Sequence, residues 1–176
     1  RQLLLACSND LRAPGVDTVS CWARLAAAMA ANGPSNFAWG DFSVNVPGGT
    51  HSVWRNSIIG SGGLVKQGSG TLSLAEQATY SGDTRVLAGA LALRKGLIAS
   101  DLLVSSGALV WAAGLLGGDV DNQGVLLTSG AQGWVVTING NFVQASTGNL
   151  GIWLGGGAAT LDVRGTATLA GQLSLL

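Results

Sequence analysis

The stretch Gly63–Leu93, "GLVKQGSGTLSLAEQATYSGDTRVLAGALAL", carries the periodicity that decides the fold. Apolar residues alternate with small or polar ones in "TLSLA" and "RVLAGALAL". That period of two marks strands with one buried face. Glycine or a polar turn interrupts the pattern every several residues, as at Gly68–Gly70. The segment reads as one to two coils of a stacked β-structure. Its glycines turn the corners, and the polar "AEQATYSGDT" at Ala75–Thr84 is expected to be an outward-facing connection.

The same alternation runs outward from this stretch. It recurs in "FSVNV" at Phe42–Val46, "VVTING" at Val135–Gly140 and "TATLAGQLSL" at Thr166–Leu175. Glycine-rich joints separate the strands, at Pro47–Gly49, Gly60–Gly63, Leu116–Asp119 and Leu154–Gly157. The pattern predicts roughly a dozen short strands of about five residues, the ordinary length. A sandwich and a parallel β-helix both accommodate many short strands. Sandwiches use several two-residue hairpin turns. Here that signal is clear once, at Asn139-Gly140. A repeated "V-x-x-G-x-L" unit begins at Val86 and again at Val104, and a related one begins at Val120. Such a period approaches one turn of a solenoid. The expected fold is mainly β, a right-handed parallel β-helix.

Composition agrees. Among 176 residues, 47% are hydrophobic and only 10% are charged, against about a quarter charged in an ordinary domain. A column of Leu, Val and Ala needs charge only on its outside. Formal net charge is zero, so no electrostatic footprint for nucleic acid exists. No run of 18 apolar residues signals a transmembrane helix. Before Pro34 the composition differs. "CWARLAAAMAANGP" at Cys21–Pro34 is alanine-rich and predicts a short helix stopped at Gly33-Pro34.

Two cysteines, Cys7 and Cys21, make no disulfide framework, and pairing between them stays open. With one histidine they are too few to build a metal centre. "RQLLLAC" ends like a lipoprotein cleavage box, but its apolar run is too short for a signal peptide. The chain begins with Arg1 inside an apolar run, and the expectation is a piece of a longer protein.

Gly63–Leu93 resembles the passenger-associated transport repeat of bacterial autotransporters. The repeat reads roughly Gly-Leu-x-Lys-x-Gly-x-Gly-Thr-Leu-x-Leu, then Tyr-x-Gly-x-Thr, then Val-x-x-Gly-x-Leu. The matching positions are Gly63, Leu64, Lys66, Gly68, Gly70, Thr71, Leu72, Leu74, Tyr80, Gly82, Thr84, Val86, Gly89 and Leu91. Val135–Leu175 resembles the closing coils of a passenger. "RQLLLACSNDLRAPGVDTVSCWARLAAAMAANGP" at Arg1–Pro34 resembles the last piece of a subtilisin-like protease domain. Gln2, Leu4, Leu5, Asp10, Leu11, Ala13–Asp17, Trp22, Leu25, Ala27 and Asn32–Pro34 agree with it. The family's Gly-Trp-Gly appears here as Cys21-Trp22-Ala23, and its Leu-Asp-Ala as Leu25-Ala26-Ala27.

The resemblance implies three regions: a helical subtilase remnant over 1–34, connecting strands over 35–62, and a β-helical stem over 63–176. The transport repeat lies at 63–93 and the closing coils at about 120–176. It implies a stem linking a protease domain to an outer-membrane β-barrel, exported through the periplasm to the bacterial cell surface or beyond, and assisting folding during export. Both of those domains are the implied partners. A host surface ligand is the implied target if the stem is instead an adhesin-like module, and no stable oligomer is expected. The parent protein would be a secreted serine endopeptidase, with its triad upstream of Arg1.

No catalytic residue, cofactor or metal ligand is expected within the chain itself. His51 alternates with Val53 and reads as a strand residue. Asp119 and Asp121 in "GGDVDNQG" lack the ligand spacing of a calcium loop and read as turn aspartates. Asp162 reads as a corner residue, and Asp83 as a partner for Arg85. The scattered acids do not assemble into the carboxylate cluster of a polysaccharide-cleaving β-helix. Trp22, Trp39, Trp54, Trp111, Trp134 and Trp153 read as packing residues, with sugar stacking as the alternative.

Overall fold

The computed structural model describes residues 8–9, 24–25, 31–97, 99–128, 135–153 and 161–176. Two short strands come first, β1 (Ser8–Asn9) and β2 (Arg24–Leu25), paired antiparallel. The helix expected from Cys21 therefore fails at Arg24–Leu25. The alanine-rich run at 26–30 lies outside the described residues. Among the described residues Ala31 alone is helical. Cys7, Cys21, Trp22, Trp134 and the joint at 154–157 lie outside the described residues.

From Phe42 the chain winds as a parallel β-solenoid of about six turns. The first coil holds β3 (Phe42–Asn45) and β4 (His51–Trp54), and the second β5 (Leu64–Gln67) and β6 (Thr71–Leu74). The third gains a side: β7 (Thr84–Val86), β8 (Ala90–Leu93) and β9 (Gly96–Leu97). The fourth repeats it with β10 (Leu102–Val104), β11 (Leu109–Ala112) and β12 (Gly114–Leu116). The fifth has β13 (Val120–Asn122), β14 (Val125–Thr128) and β15 (Val136–Ile138). The sixth has β16 (Phe142–Gln144), β17 (Asn149–Ile152) and β18 (Leu161–Val163). The partial last coil has β19 (Ala167–Thr168) and β20 (Gln172–Leu175).

Each strand pairs in parallel with its counterpart one coil away. The result is two seven-stranded sheets and one of four strands. Along the first sheet the register partners Phe42, Leu64, Thr84, Leu102, Val120, Phe142 and Ala167 stand 22, 20, 18, 18, 22 and 25 positions apart. Strands β3 and β4, in the stretch read as connecting strands, are the first strands of the two long sheets.

The core follows from this register. Leu72, Leu91, Val110, Leu126 and Leu150 stack as one inward column on the second sheet. All five are buried, and neighbours lie about 4.8 Å apart. A buried leucine contributes about 1.5–3 kcal/mol relative to exposure. The third side is built by Leu97, Leu116 and Ile138, also buried. It starts two coils earlier than its strands, because Ala78 of the second coil bridges both Ile58 of the first and Leu97 of the third in parallel. The expected outward connection Ala75–Thr84 thus folds inward at Ala78, Tyr80 and Thr84.

The repeat units seen in sequence align with one slip. Val86 pairs level with Val104 as expected. Beyond the corner, Leu91 faces Val110 and not Leu109, because the fourth coil's corner carries one more residue. The Val120 unit is shifted by two: Val120 faces Leu102, and Asn122 faces Val104. Asn139-Gly140 joins β15 to β16 as a corner between sheets, not as a hairpin.

The two ends differ. At the first coil, Phe37 stacks on Phe42 at 5.3 Å, Trp54 meets Phe42 edge-on at 5.6 Å, and Tyr80 packs on Phe37 at 4.9 Å. At the last coil, Leu173 continues the leucine column but is 62% exposed.

Candidate functional site

The motif residues of Gly63–Leu91 come together as the second and third coils. Leu64, Leu72, Leu74, Val86 and Leu91 face inward and are buried. Lys66 also faces inward, because "LVKQ" alternates and Lys66 is two residues after the inward Leu64. Its residue exposure is 0%. The ammonium donates to the carbonyl oxygens of Gln67 at 3.0 Å, Gly68 at 2.7 Å and Ala88 at 2.9 Å. An ammonium has three donors, so each has an acceptor. Loss of water pushes its pKa below the ordinary lysine value, while hydrogen bonds to the charged form act in the opposite sense.

Tyr80 is fully buried and heads a chain of hydroxyls. Its Oη lies 2.6 Å from Thr84 Oγ1, which lies 2.7 Å from Ser100 Oγ. Ser100 in turn donates to the Asp101 carbonyl at 3.0 Å. Burial raises the Tyr80 pKa well above that of a free phenol, against a smaller lowering by the hydrogen bonds to Thr84 and Ser100.

The glycines of the motif let these coils approach. Gly68 and Gly89 have φ of +76° and +66°. A Cβ on Gly89 would land on the carbonyl oxygens of Gly68 and Gly70 in the coil below. Gly63, Gly70 and Gly82 are likewise crowded by backbone, and Thr71 is half-buried on the outer side of β6.

A second cluster was missed by sequence reasoning. An open groove of about 670 Å³ runs along the outer face of the first sheet. Asp83, Arg85, Asp101, Asp119 and Asp121 line it. So four of the nine acids that looked scattered gather on one outer face. The signal was present: Asp83, Asp101 and Asp119 are 18 positions apart, one coil of this region. Each opens its coil at the same corner. Asp101 Oδ1 accepts the Asp119 N–H at 2.8 Å, and Asp119 Oδ1 accepts the Asn141 N–H at 2.7 Å. Asn141 Oδ1 accepts the Thr166 N–H at 3.0 Å, and Asp41 Oδ1 accepts the Gly63 N–H at 2.9 Å. These side chains form a ladder that caps one coil's corner with the previous coil's oxygen.

The other acids are surface partners. Arg85 Nη2 binds Asp83 at 2.8 Å, as expected, and Nη1 reaches Asp41 at 3.4 Å. The Asp83 hydrogen bond and charge raise the Arg85 pKa further. Asp121 lies mid-strand and accepts from Gln123 at 3.1 Å. Asp162 is also mid-strand in β18, not at a corner, and pairs with Arg164 at 3.7 Å. Among the described residues, no three of His, Cys, Asp or Glu are placed to hold a metal ion.

His51 is the strand residue expected, level with Thr71 in register. Its Nε2 lies 2.7 Å from Ser73 Oγ. A nucleophilic serine needs a base, an orienting acid and access for a substrate carbonyl. No hydrogen bond or ion pair among the described residues joins His51 to a carboxylate, and Ser73 is only 2% exposed. Of the tryptophans, Trp54 is core, while Trp39, Trp111 and Trp153 are exposed.

The passenger-associated-transport-repeat family model matches residues 64–93, the coils that hold Lys66 and Tyr80. Over 98% of its length the chain is 36% identical to the autotransporter lipoprotein NalP of Neisseria meningitidis serogroup B. The chain is autotransporter passenger sequence. It is also 30% identical, over 62% of its length, to an extracellular serine protease of Serratia marcescens. Over 56% of its length it is 37% identical to the uncharacterized protein YuaQ of Escherichia coli. The passenger segment spans 16% of the Neisseria protein's length and 14% of the Serratia protein's.

Proposed function

We propose that this passenger segment is the β-helical stem of a type V-secreted autotransporter. It joins a subtilisin-like serine protease domain to an outer-membrane barrel and assists folding of the passenger during export. Residues 1–34 are the end of the protease domain, and the solenoid is the stem proper. The observation that carries this reading is the match over 98% of the chain to an autotransporter. So long a match leaves almost none of the first 34 residues outside it. The likeness to a Serratia protein named as an extracellular serine protease supports the protease half of the reading.

The chemistry of the stem is mechanical. Each coil buries its inner face only by stacking on a neighbour, so a formed coil is the template for the next. Order spreading coil by coil outside the cell makes backward sliding unfavourable and biases transport outward. In this reading the stem does no hydrolysis: among the described residues no carboxylate is paired with His51, and Ser73 is only 2% exposed. The passenger is displayed at the cell surface or released from it.

Two arms test this. The isolated chain is exposed to a fluorophosphonate probe for activated serines; no labelling is expected, and labelling abolished by Ser73→Ala would overturn the non-catalytic reading. In a Gram-negative host, the full-length precursor with residues 64–93 deleted is compared with the intact one. Protease-accessible passenger at the surface should fall while barrel insertion is unchanged. Undiminished surface passenger would contradict the export role.

A further inference from the structure

A solenoid has a register problem that apolar burial does not solve. The inward columns are chemically repetitive, so sliding one strand by two residues on its neighbour keeps every side chain on its correct face. The junction of β5 and β7 is exposed to this error. In the observed register Leu64 lies level with Thr84, and Lys66 with Val86. A slip by two would set Leu64 level with Val86. Both are fully buried hydrophobes, and that pairing is more apolar than Leu64 with Thr84. Some polar contact must oppose it.

Lys66 makes that contact. From its level beside Val86, its stem reaches along the strand direction to the corner. There the ammonium takes Gln67 O and Gly68 O of its own coil and Ala88 O of the next. Ala88 is two residues beyond Val86, about 6.6 Å along a strand, which a lysine stem spans. Among the described residues, no backbone N–H takes Gly68 O or Ala88 O. No ion pair among the described residues involves Lys66, so its position is set by the carbonyls and not by a counter-charge. A slip by two in either direction changes the offset between the ammonium and Ala88 by the length of the stem. The ammonium would then lose the carbonyl from the neighbouring coil while remaining desolvated. The inward positions level with it in the adjacent strands are Val44 and Val86, which offer no replacement acceptor.

We propose that Lys66 is the register lock between the second and third coils: its buried ammonium, bound to both corners, selects the pairing of β5 on β7 against the two-residue slip. Its contribution is specificity more than stability. Replacing a buried charge by an apolar residue of similar volume is often neutral or stabilising. A single buried polar group that fixes register is the best-attested benefit of such burial. A register error here would pass to every coil added afterwards.

Disulfide trapping reads the register directly. With Cys7 and Cys21 changed to serine, Val65→Cys is combined with either Arg85→Cys or Leu87→Cys. All three positions are outside the buried core. Val65 is level with Arg85 in the observed register. Leu87 is then diagonal, at about 8 Å from strand rise and spacing, too far for a disulfide. With Lys66 present, only the Arg85→Cys pair should oxidise. With Lys66→Met, the Leu87→Cys pair should oxidise about tenfold more than in the Lys66 background, since charged hydrogen bonds are worth that factor or more. Trapping of the Arg85→Cys pair alone, with or without Lys66, would overturn the proposal. If the Lys66→Met chain does not fold, Lys66→Gln decides, because its shorter uncharged side chain cannot hold all three carbonyls. Raised trapping of the Leu87→Cys pair in Lys66→Gln supports the lock, and trapping of the Arg85→Cys pair alone overturns it.

Discussion

The Tyr80 hydroxyl lies where no water reaches it, and it survives there by passing its hydrogen bond to Thr84 and Ser100. An unmade bond at that depth would cost about 1–3 kcal/mol. Burial holds the phenol protonated well above the ordinary value of about 10. The folded state therefore keeps a proton that the unfolded chain releases. Stability from this group is complete below pH about 10 and falls as pH rises beyond it. Tyr80 is the only tyrosine, so absorbance at the phenolate band reports it alone. Its ionisation should coincide with loss of β-structure in an alkaline titration. Ionisation near pH 10 with the fold intact would show that the hydroxyl reaches solvent. Both Tyr80 and Lys66 were legible as motif positions. Their burial was not read from the motif: the alternation of "LVKQ" holds the signal for Lys66, but nothing in "AEQATYSGDT" marks Tyr80 as buried.

At the scale of strands and corners, the coil depends on who caps the first N–H of each turn. Asp101 caps Asp119, Asp119 caps Asn141, and Asn141 caps Thr166. The asparagine shows that an acceptor oxygen suffices and that charge is not required. Asp119→Asn should be close to neutral, whereas Asp119→Ala should lose about 1 kcal/mol in urea unfolding, the net worth of one such bond. Equal losses in both would mean the charge matters and the ladder is not the reason for the aspartate. The strands themselves were legible, because period two and glycine joints mark them. Two features were not. The third side consists of pieces as short as Gly96–Leu97 and isolated bridges at Ile58 and Ala78, too brief to show a period. The corners vary by one residue or more, so units that look aligned at Val104 drift by Leu109. The aspartate spacing of 18 was visible, but it acquires meaning only once one coil in this region is known to have that length.

For the molecule as a whole, stability comes from neighbours in a line. Interior coils have a partner on both faces. The first coil has an aromatic cluster of Phe37, Phe42 and Trp54, while the last leaves Leu169, Leu173 and Leu175 more than half exposed. Edges of this kind fray first. The parallel architecture was legible in the scarcity of hairpin signals. The strand pairing at Arg24–Leu25 was not, since the alanine content around it argues for helix. Amide hydrogen exchange on the purified chain tests the central claim, that a solenoid stem stands as one line of stacked coils. The account predicts strong protection in the strands from Leu64 to Asn149, greatest in the third to fifth coils, and falling toward Leu175. Uniformly weak exchange protection across Leu64–Asn149, or protection highest at Gln172–Leu175, would contradict it.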